Sequence, residues 1–231
     1  MTDENPGVDV IIPVHNGARY LGEAIQSVLR QTYTAIDVIV VDDGSEDRSA
    51  AVAAQIPGVR VLRQPHHGIG VALNLAIRHA NGPLLAFLDA DDRWLPDKLE
   101  RQVGALMADP TLDMVFGHVH QFYQPDGSHG GKTIAGATQP GVSRNTLLVW
   151  RTAFARVGGF VETRTVHSFL DWYARACDAD LRTLILPVVV AERRVHDENL
   201  GLRTPDAQRQ SYLQALRIAV TRRRPQDAAD A

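Results

Sequence analysis

Three short apolar runs in the first ninety residues each stop at a polar loop. Val8-Asp9-Val10-Ile11-Ile12 leads into Pro13-Val14-His15-Asn16-Gly17. Ile36-Asp37-Val38-Ile39-Val40-Val41 leads into Asp42-Asp43-Gly44-Ser45, and Leu84-Leu85-Ala86-Phe87-Leu88 leads into Asp89-Ala90-Asp91-Asp92. Runs of this length predict strands buried on both faces. Between them the apolar period changes. Tyr20, Leu21, Ala24, Ile25, Val28 and Leu29 predict a helix over 18–30. A short helix is expected over 48–55, a short strand over 59–62 and a further helix over 70–80, which Asn81-Gly82-Pro83 ends. This alternation predicts right-handed crossovers and an α/β fold with a Rossmann-like, mostly parallel sheet flanked by helices.

The second half is less regular. The pattern predicts a helix over 96–107, stopped by Asp109-Pro110, and a strand over 114–123. Residues 124–143 are rich in Gly, Pro, Ser and Thr and have no apolar period. A loop of that length reads as a mobile flap over a site. A helix over 168–178, a strand over 184–190 and a helix over 206–222 before a disordered end complete the chain. No repeat or linker divides it. One domain over 1–231 is expected, with a nucleotide-side half over about 8–110, a smaller mixed acceptor-side half over about 111–204 and a tail over 205–231.

Bulk properties narrow the function. The chain has 231 residues, enough for a good core. A net charge of −3 and a pI near 6.3 make no electrostatic case for nucleic acid. The single cysteine, Cys177, excludes an internal disulfide and fits a reducing compartment. Met1–Gly7 is polar and acidic, unlike a signal peptide, and no apolar stretch approaches a membrane span. The expectation is a cytoplasmic protein, either free or held at a membrane by a partner.

The chemistry is concentrated at the strand ends. Ligands of open α/β sheets bind beyond the carboxyl ends of the strands. Three carboxylates at 89, 91 and 92 repel one another, and a divalent cation relieves that repulsion. Mg²⁺ or Mn²⁺ prefers such oxygens and shares them with substrate phosphates. Gly44 suits a tight turn, and Ser45 or Asp47 suits a helix cap.

Val8-Asp9-Val10-Ile11-Ile12-Pro13-Val14-His15-Asn16, Gln31-Thr32, Val40-Val41-Asp42-Asp43-Gly44-Ser45 and Phe87-Leu88-Asp89-Ala90-Asp91-Asp92 resemble, in order and spacing, the successive signatures of family 2 glycosyltransferases. The resemblance implies a GT-A fold that binds a nucleotide-diphosphate sugar, with the sugar passed to an acceptor hydroxyl and inversion at the anomeric carbon. It implies that Pro13 and His15 lie against the nucleoside and Asp43 against the base. Asp89 would lie near the ribose and Asp91 at a divalent cation, Mn²⁺ or Mg²⁺. Asp171, after Val157-Gly158-Gly159-Phe160, matches the general base. Arg194-Val195-His196 resembles a late Arg-x-His element, which implies His196 beside the metal and Arg194 as a contact to the diphosphate. The donor is expected to be a UDP-sugar. The acceptor is open: a glycan, lipid-linked glycan, small molecule or peptide.

Two positions depart from the family pattern. Leu73 stands where an arginine is usual, and Leu170 replaces an acidic neighbour of Asp171. Both motivate an alternative, a noncatalytic nucleotide-sugar-binding homologue. A sugar nucleotidyltransferase is a further alternative, weakened because Pro13–Arg19 makes a poor phosphate loop. Gly68 and Gly70 do not complete a dinucleotide fingerprint, since Leu73 replaces the third glycine. His118 and His120 share a strand face as packing or surface residues or as a second metal site. Trp172 reads as a sugar platform or a buried helix anchor.

Overall fold

A computed structural model of the chain describes residues 5–123, 138–162 and 168–195. The element order is β1 (Val8–Val14), α1 (Ala18–Leu29), β2 (Ile36–Asp43), α2 (Ser49–Ala54), β3 (Val59–Gln64), α3 (Ile69–His79), β4 (Leu84–Phe87), β5 (Arg93–Trp94), α4 (Lys98–Ala108), β6 (Met114–Tyr123), β7 (Thr138–Gly141), a 3-10 turn (Arg144–Thr146), β8 (Leu148–Trp150), α5 (Arg151–Val157), α6 (Ser168–Asp178) and β9 (Thr183–Val195).

Among the described residues, a nine-stranded sheet runs in the order β3-β2-β1-β4-β8-β6-β9-β5, with β7 paired to β6. The first four strands are parallel. Beyond β4 the sheet is mixed: β8 runs antiparallel to β4 and β6, while β9 runs parallel to β6. The sheet therefore has both a parallel part and a mixed part.

The buried strands partition cleanly between the two faces. Val8, Val10, Ile12 and Val14 of β1, Val38 and Val40 of β2, and Leu84 and Ala86 of β4 point to one core, where α1 and α4 add Leu21, Ile25, Val28, Leu99 and Val103. Ile11, Ile39, Val41, Leu85 and Phe87 point to the other, where α3, α5 and α6 add Leu73, Ala76, Phe154, Phe169 and Trp172. The period of two places alternate residues on opposite faces, and helices cover both. Trp172 is fully buried and stacks on Phe154 at 4.8 Å between centroids, so it is the helix anchor. Leu73 is also fully buried.

Several boundaries differ from the sequence reading. β9 runs from 183 to 195, longer than the run over 184–190, because it pairs along most of β6 with a bulge near His118. Residues 138–141 of the expected flap form β7 against β6; residues 124–137 of it lie outside the described residues. The helix expected over 206–222 lies outside them as well. Strand β5 is held by pairing with β9, a contact nearly a hundred residues away that no local pattern announces. Among the described residues, no helix is long and apolar enough to cross a membrane.

Candidate active site

Strand register brings the polar loops together. Val14 of β1 lies opposite Asp42 of β2, and Ile11 opposite Phe87 of β4. The loops after these strands therefore emerge at one sheet edge. Asn16 stitches two of them. It takes a positive φ of 53°, tolerated by asparagine. Its Oδ1 accepts from the Glu46 N–H at 2.8 Å, and its own N–H donates to Ser45 Oγ at 2.9 Å. The Gly17 N–H donates to Ser49 Oγ at 2.9 Å and the Ala18 N–H to Asp47 Oδ2 at 3.0 Å. Donors at the start of α1 are thus satisfied from the neighbouring loop. Gly44 has φ +70°, and a Cβ there would stand 2.6 Å from the His66 nitrogen. Only glycine fits.

Asp43 organises the nucleoside side. Its Oδ1 accepts from Gln64 Nε2 at 2.7 Å and the His67 N–H at 2.9 Å; Oδ2 accepts from the Gly68 N–H at 2.9 Å and lies 3.0 Å from His66 Nδ1. Burial pushes its carboxyl up, but these hydrogen bonds and the His66 ring outweigh burial and hold it below the usual range. His15 Nδ1 lies 2.8 Å from the Asp43 carbonyl oxygen, and the His15 ring stacks on His66 at 4.0 Å. His15 is exposed, whereas Pro13 is buried within β1.

The acidic turn after β4 divides its carboxylates. Asp92 is buried: Oδ1 accepts from the Arg194 N–H at 2.9 Å and Oδ2 from Asn145 Nδ2. Burial, then repulsion from Asp91 and Asp89, pushes its carboxyl well up. Asp89 and Asp91 are half-buried. Asp89 is ion-paired with Arg144 through Nη2, and its N–H donates to Asn145 Oδ1 at 3.1 Å. Arg194 is buried beneath the turn. Its Nε donates to the Asp91 carbonyl at 2.9 Å and its Nη2 to Glu23 Oε2 at 2.5 Å. Its guanidinium also lies over Tyr20 and Phe122, at 4.5 and 4.8 Å from the ring centroids. Gln31 secures the segment that follows: Nε2 donates to the Leu95 carbonyl at 2.7 Å, and Oε1 accepts from the Leu99 N–H at 3.0 Å. That explains the Gln31 signature mechanically.

Asp171 sits in the first turn of α6 and accepts from Arg175 Nε at 2.9 Å. Arg175 in turn donates to the Val157 and Gly159 carbonyls, both at 2.7 Å. The Gly158-Gly159-Phe160 turn is thereby latched to the helix. Asn74 of α3 holds the same turn from the other side, accepting from the Phe160 N–H at 2.9 Å and donating to its carbonyl at 2.8 Å.

The structure therefore gathers His15 with Asp43 at one loop pair, and Asp89 and Asp91 with Arg194 at the acidic turn. His196 lies outside the described residues. Arg144, Asn145 and the burial of Asp92 escaped the sequence reading. Nothing local marks Arg144, since its partner is 55 positions away. Among the described residues no three His, Cys, Asp or Glu side chains gather as a metal-holding group, at His118 and His120 or elsewhere. The donor set still fits a cation that completes its shell with phosphate oxygens, because such ions need only one or two carboxylates from the protein. Asp89, Asp91 and Asp92 lie within four residues of one turn, and a cation would relieve their mutual repulsion.

Comparison with known proteins agrees with the fold. An uncharacterised glycosyltransferase of Rickettsia typhi is 31% identical over 185 residues, covering 73% of this chain and 58% of the relative. The chain thus spans about three-fifths of that relative's length. A mannosyltransferase from Pyrobaculum calidifontis, in complex with GDP-Man and Mn²⁺, superposes with a TM-score of 0.74 at 22% identity, over 94% of this chain and 65% of that one. S. aureus TarS residues 1–349, in complex with UDP-GlcNAc, superposes with a TM-score of 0.67 at 16% identity, over 93% of this chain and 66% of that one. The family model for glycosyl transferase family 2 matches residues 9–167, more than half the sequence, and the chain belongs to that family.

Proposed function

We propose that the chain is an inverting glycosyltransferase that moves a sugar from a nucleotide-diphosphate donor to an acceptor hydroxyl. The observation that carries this reading is the convergence of the β1, β2 and β4 loops, which brings Asp43, Asp89 and Asp91 to one sheet edge. The nucleoside lies between His15, Pro13 and the Asp43 loop, and Asp89 faces the ribose. The proposed donor is a UDP-sugar; structural neighbours bind both uridine and guanosine donors.

Asp171 is the proposed base. An acceptor O–H bond breaks as its proton passes to the carboxylate, the oxygen bonds to the anomeric carbon, and the nucleotide diphosphate leaves with the bonding pair. Arg175 fixes the carboxylate by the 2.9 Å contact. Asp91 and His196 are the residues that would hold Mn²⁺ or Mg²⁺, which when bound offsets charge on the diphosphate. Arg194 sits behind Asp91, setting the turn through its carbonyl and placing positive charge beneath the phosphate side.

A second reading rests on the Asp171–Arg175 ion pair itself. If Asp171 only latches α6, the chain is a nucleotide-sugar-binding module. Asp171→Asn separates the two. The enzyme reading expects transfer and donor hydrolysis to fall by at least about a hundredfold with donor affinity intact. Transfer retained within a few fold removes Asp171 from the base role.

A further inference from the structure

We propose that Arg144 is the guanidinium that grips the donor diphosphate. This inference rests on the donor-binding reading above. Leu73 is fully buried among the apolar side chains beneath α3, so that position contributes only packing. Arg194 is spent on the Asp91 carbonyl and Glu23. Arg144 is placed differently. It follows β7 on the 3-10 turn, its side chain is only 10% exposed, and it meets the acidic turn at Asp89, whose side chain is 33% exposed. Asn145, the next residue, holds both the Asp89 N–H and the Asp92 carboxyl, so the dipeptide fixes Arg144 against that turn.

The second observation is an unsatisfied donor. Arg144 Nε is buried and has no hydrogen-bond partner among the described residues. A guanidinium carries five N–H groups in a planar fork, and a buried N–H without an acceptor is unfavourable. The fork matches phosphate oxygens. A nucleoside diphosphate entering beside Asp89, the more exposed member of the pair, offers phosphate oxygens to that fork. The same ion pair sets Arg144 against Asp89 in particular.

The test measures binding alone. Affinities of UDP, GDP and UMP are taken by calorimetry with Mn²⁺ present, for the wild type, Arg144→Gln, Asp89→Asn and the double variant. Arg144→Gln should weaken the preferred diphosphate at least about tenfold and affect the monophosphate less. The loss should persist when Asp89 is already Asn, because the contact is to phosphate. A loss that vanishes in the Asp89→Asn background means that Arg144 only neutralises Asp89, and overturns the proposal. So does a diphosphate affinity within twofold of wild type in Arg144→Gln. A wild type that binds no nucleotide defeats the donor reading and this inference together, and is distinct from either of those results. Arg144→Lys, which keeps charge without the fork, guards against misfolding and should recover part of the affinity.

Discussion

At the scale of single residues, burial decides which charges stay charged. Lys98 is fully buried, with Nζ 2.6 Å from Gln102 Oε1 and 4.0 Å from the Trp94 ring centroid. The ring face favours the ammonium, yet burial dominates and pushes the amine well below its ordinary range. Folding therefore favours neutral Lys98. That contribution is complete above the unfolded value of about 10.4 and is lost as pH falls below it, because only the unfolded chain takes up the proton. Wild-type stability should rise between pH 7 and 9.5 relative to Lys98→Met, with a slope of at most about 1.36 kcal/mol per pH unit. Urea unfolding at both pH values checks this, and parallel curves would show that Lys98 keeps its charge. Asp92 follows the same logic with opposite chemistry. In the sequence Asp89, Asp91 and Asp92 look alike; only tertiary burial singles out Asp92 as the residue that anchors β9.

At the scale of elements, close approach sets what a helix tolerates. Gly70 lies in α3, and a Cβ there would stand 2.2 Å from the Val161 carbonyl oxygen, a backbone atom that cannot swing away. Gly104 lies in α4, and a Cβ there would meet nothing within 4 Å. The same substitution should therefore have opposite signs. Gly104→Ala should stabilise by up to about 1 kcal/mol through helix propensity. Gly70→Ala should destabilise by about 1–3 kcal/mol, because the segment after Gly159-Phe160 must shift away from α3. Denaturant midpoints of the two variants give the comparison, and equal shifts would refute the close contact. Elements were legible where burial is two-sided and local. The runs at 8–12, 36–41 and 84–88 needed no partner to be read as strands. Arg93-Trp94 and Thr138–Gly141 were not legible, because two residues, or a run containing Pro140 and Gly141, show no period. Only pairing with β9 and β6 makes them strands.

At the scale of the whole molecule, the site exists only because separate loops are held in register. Its position at the strand ends was readable from the apolar runs and the aspartates after them. Its wiring was not, because Arg144 to Asp89, Arg194 to Asp92 and Gln31 to Leu99 are contacts across 55, 102 and 68 positions. A ligand that bridges the loops should therefore stabilise the entire fold. At a hundred times its dissociation constant, the preferred nucleoside diphosphate with Mn²⁺ contributes about 2.7 kcal/mol. For a protein of this size that is a rise of about 5–10 °C in the unfolding midpoint. A chelator should remove most of the shift. Asp91→Ala should show only the small metal-independent part, while retaining the wild-type midpoint without ligand to within a few degrees, since its half-buried side chain is not part of either core. Thermal melts of both proteins across the five common nucleoside diphosphates, each with Mn²⁺ or with chelator, make the comparison. Equal shifts with and without Mn²⁺ in the wild type would remove the cation from the site, and a full Mn²⁺-dependent shift in Asp91→Ala would move its ligand elsewhere.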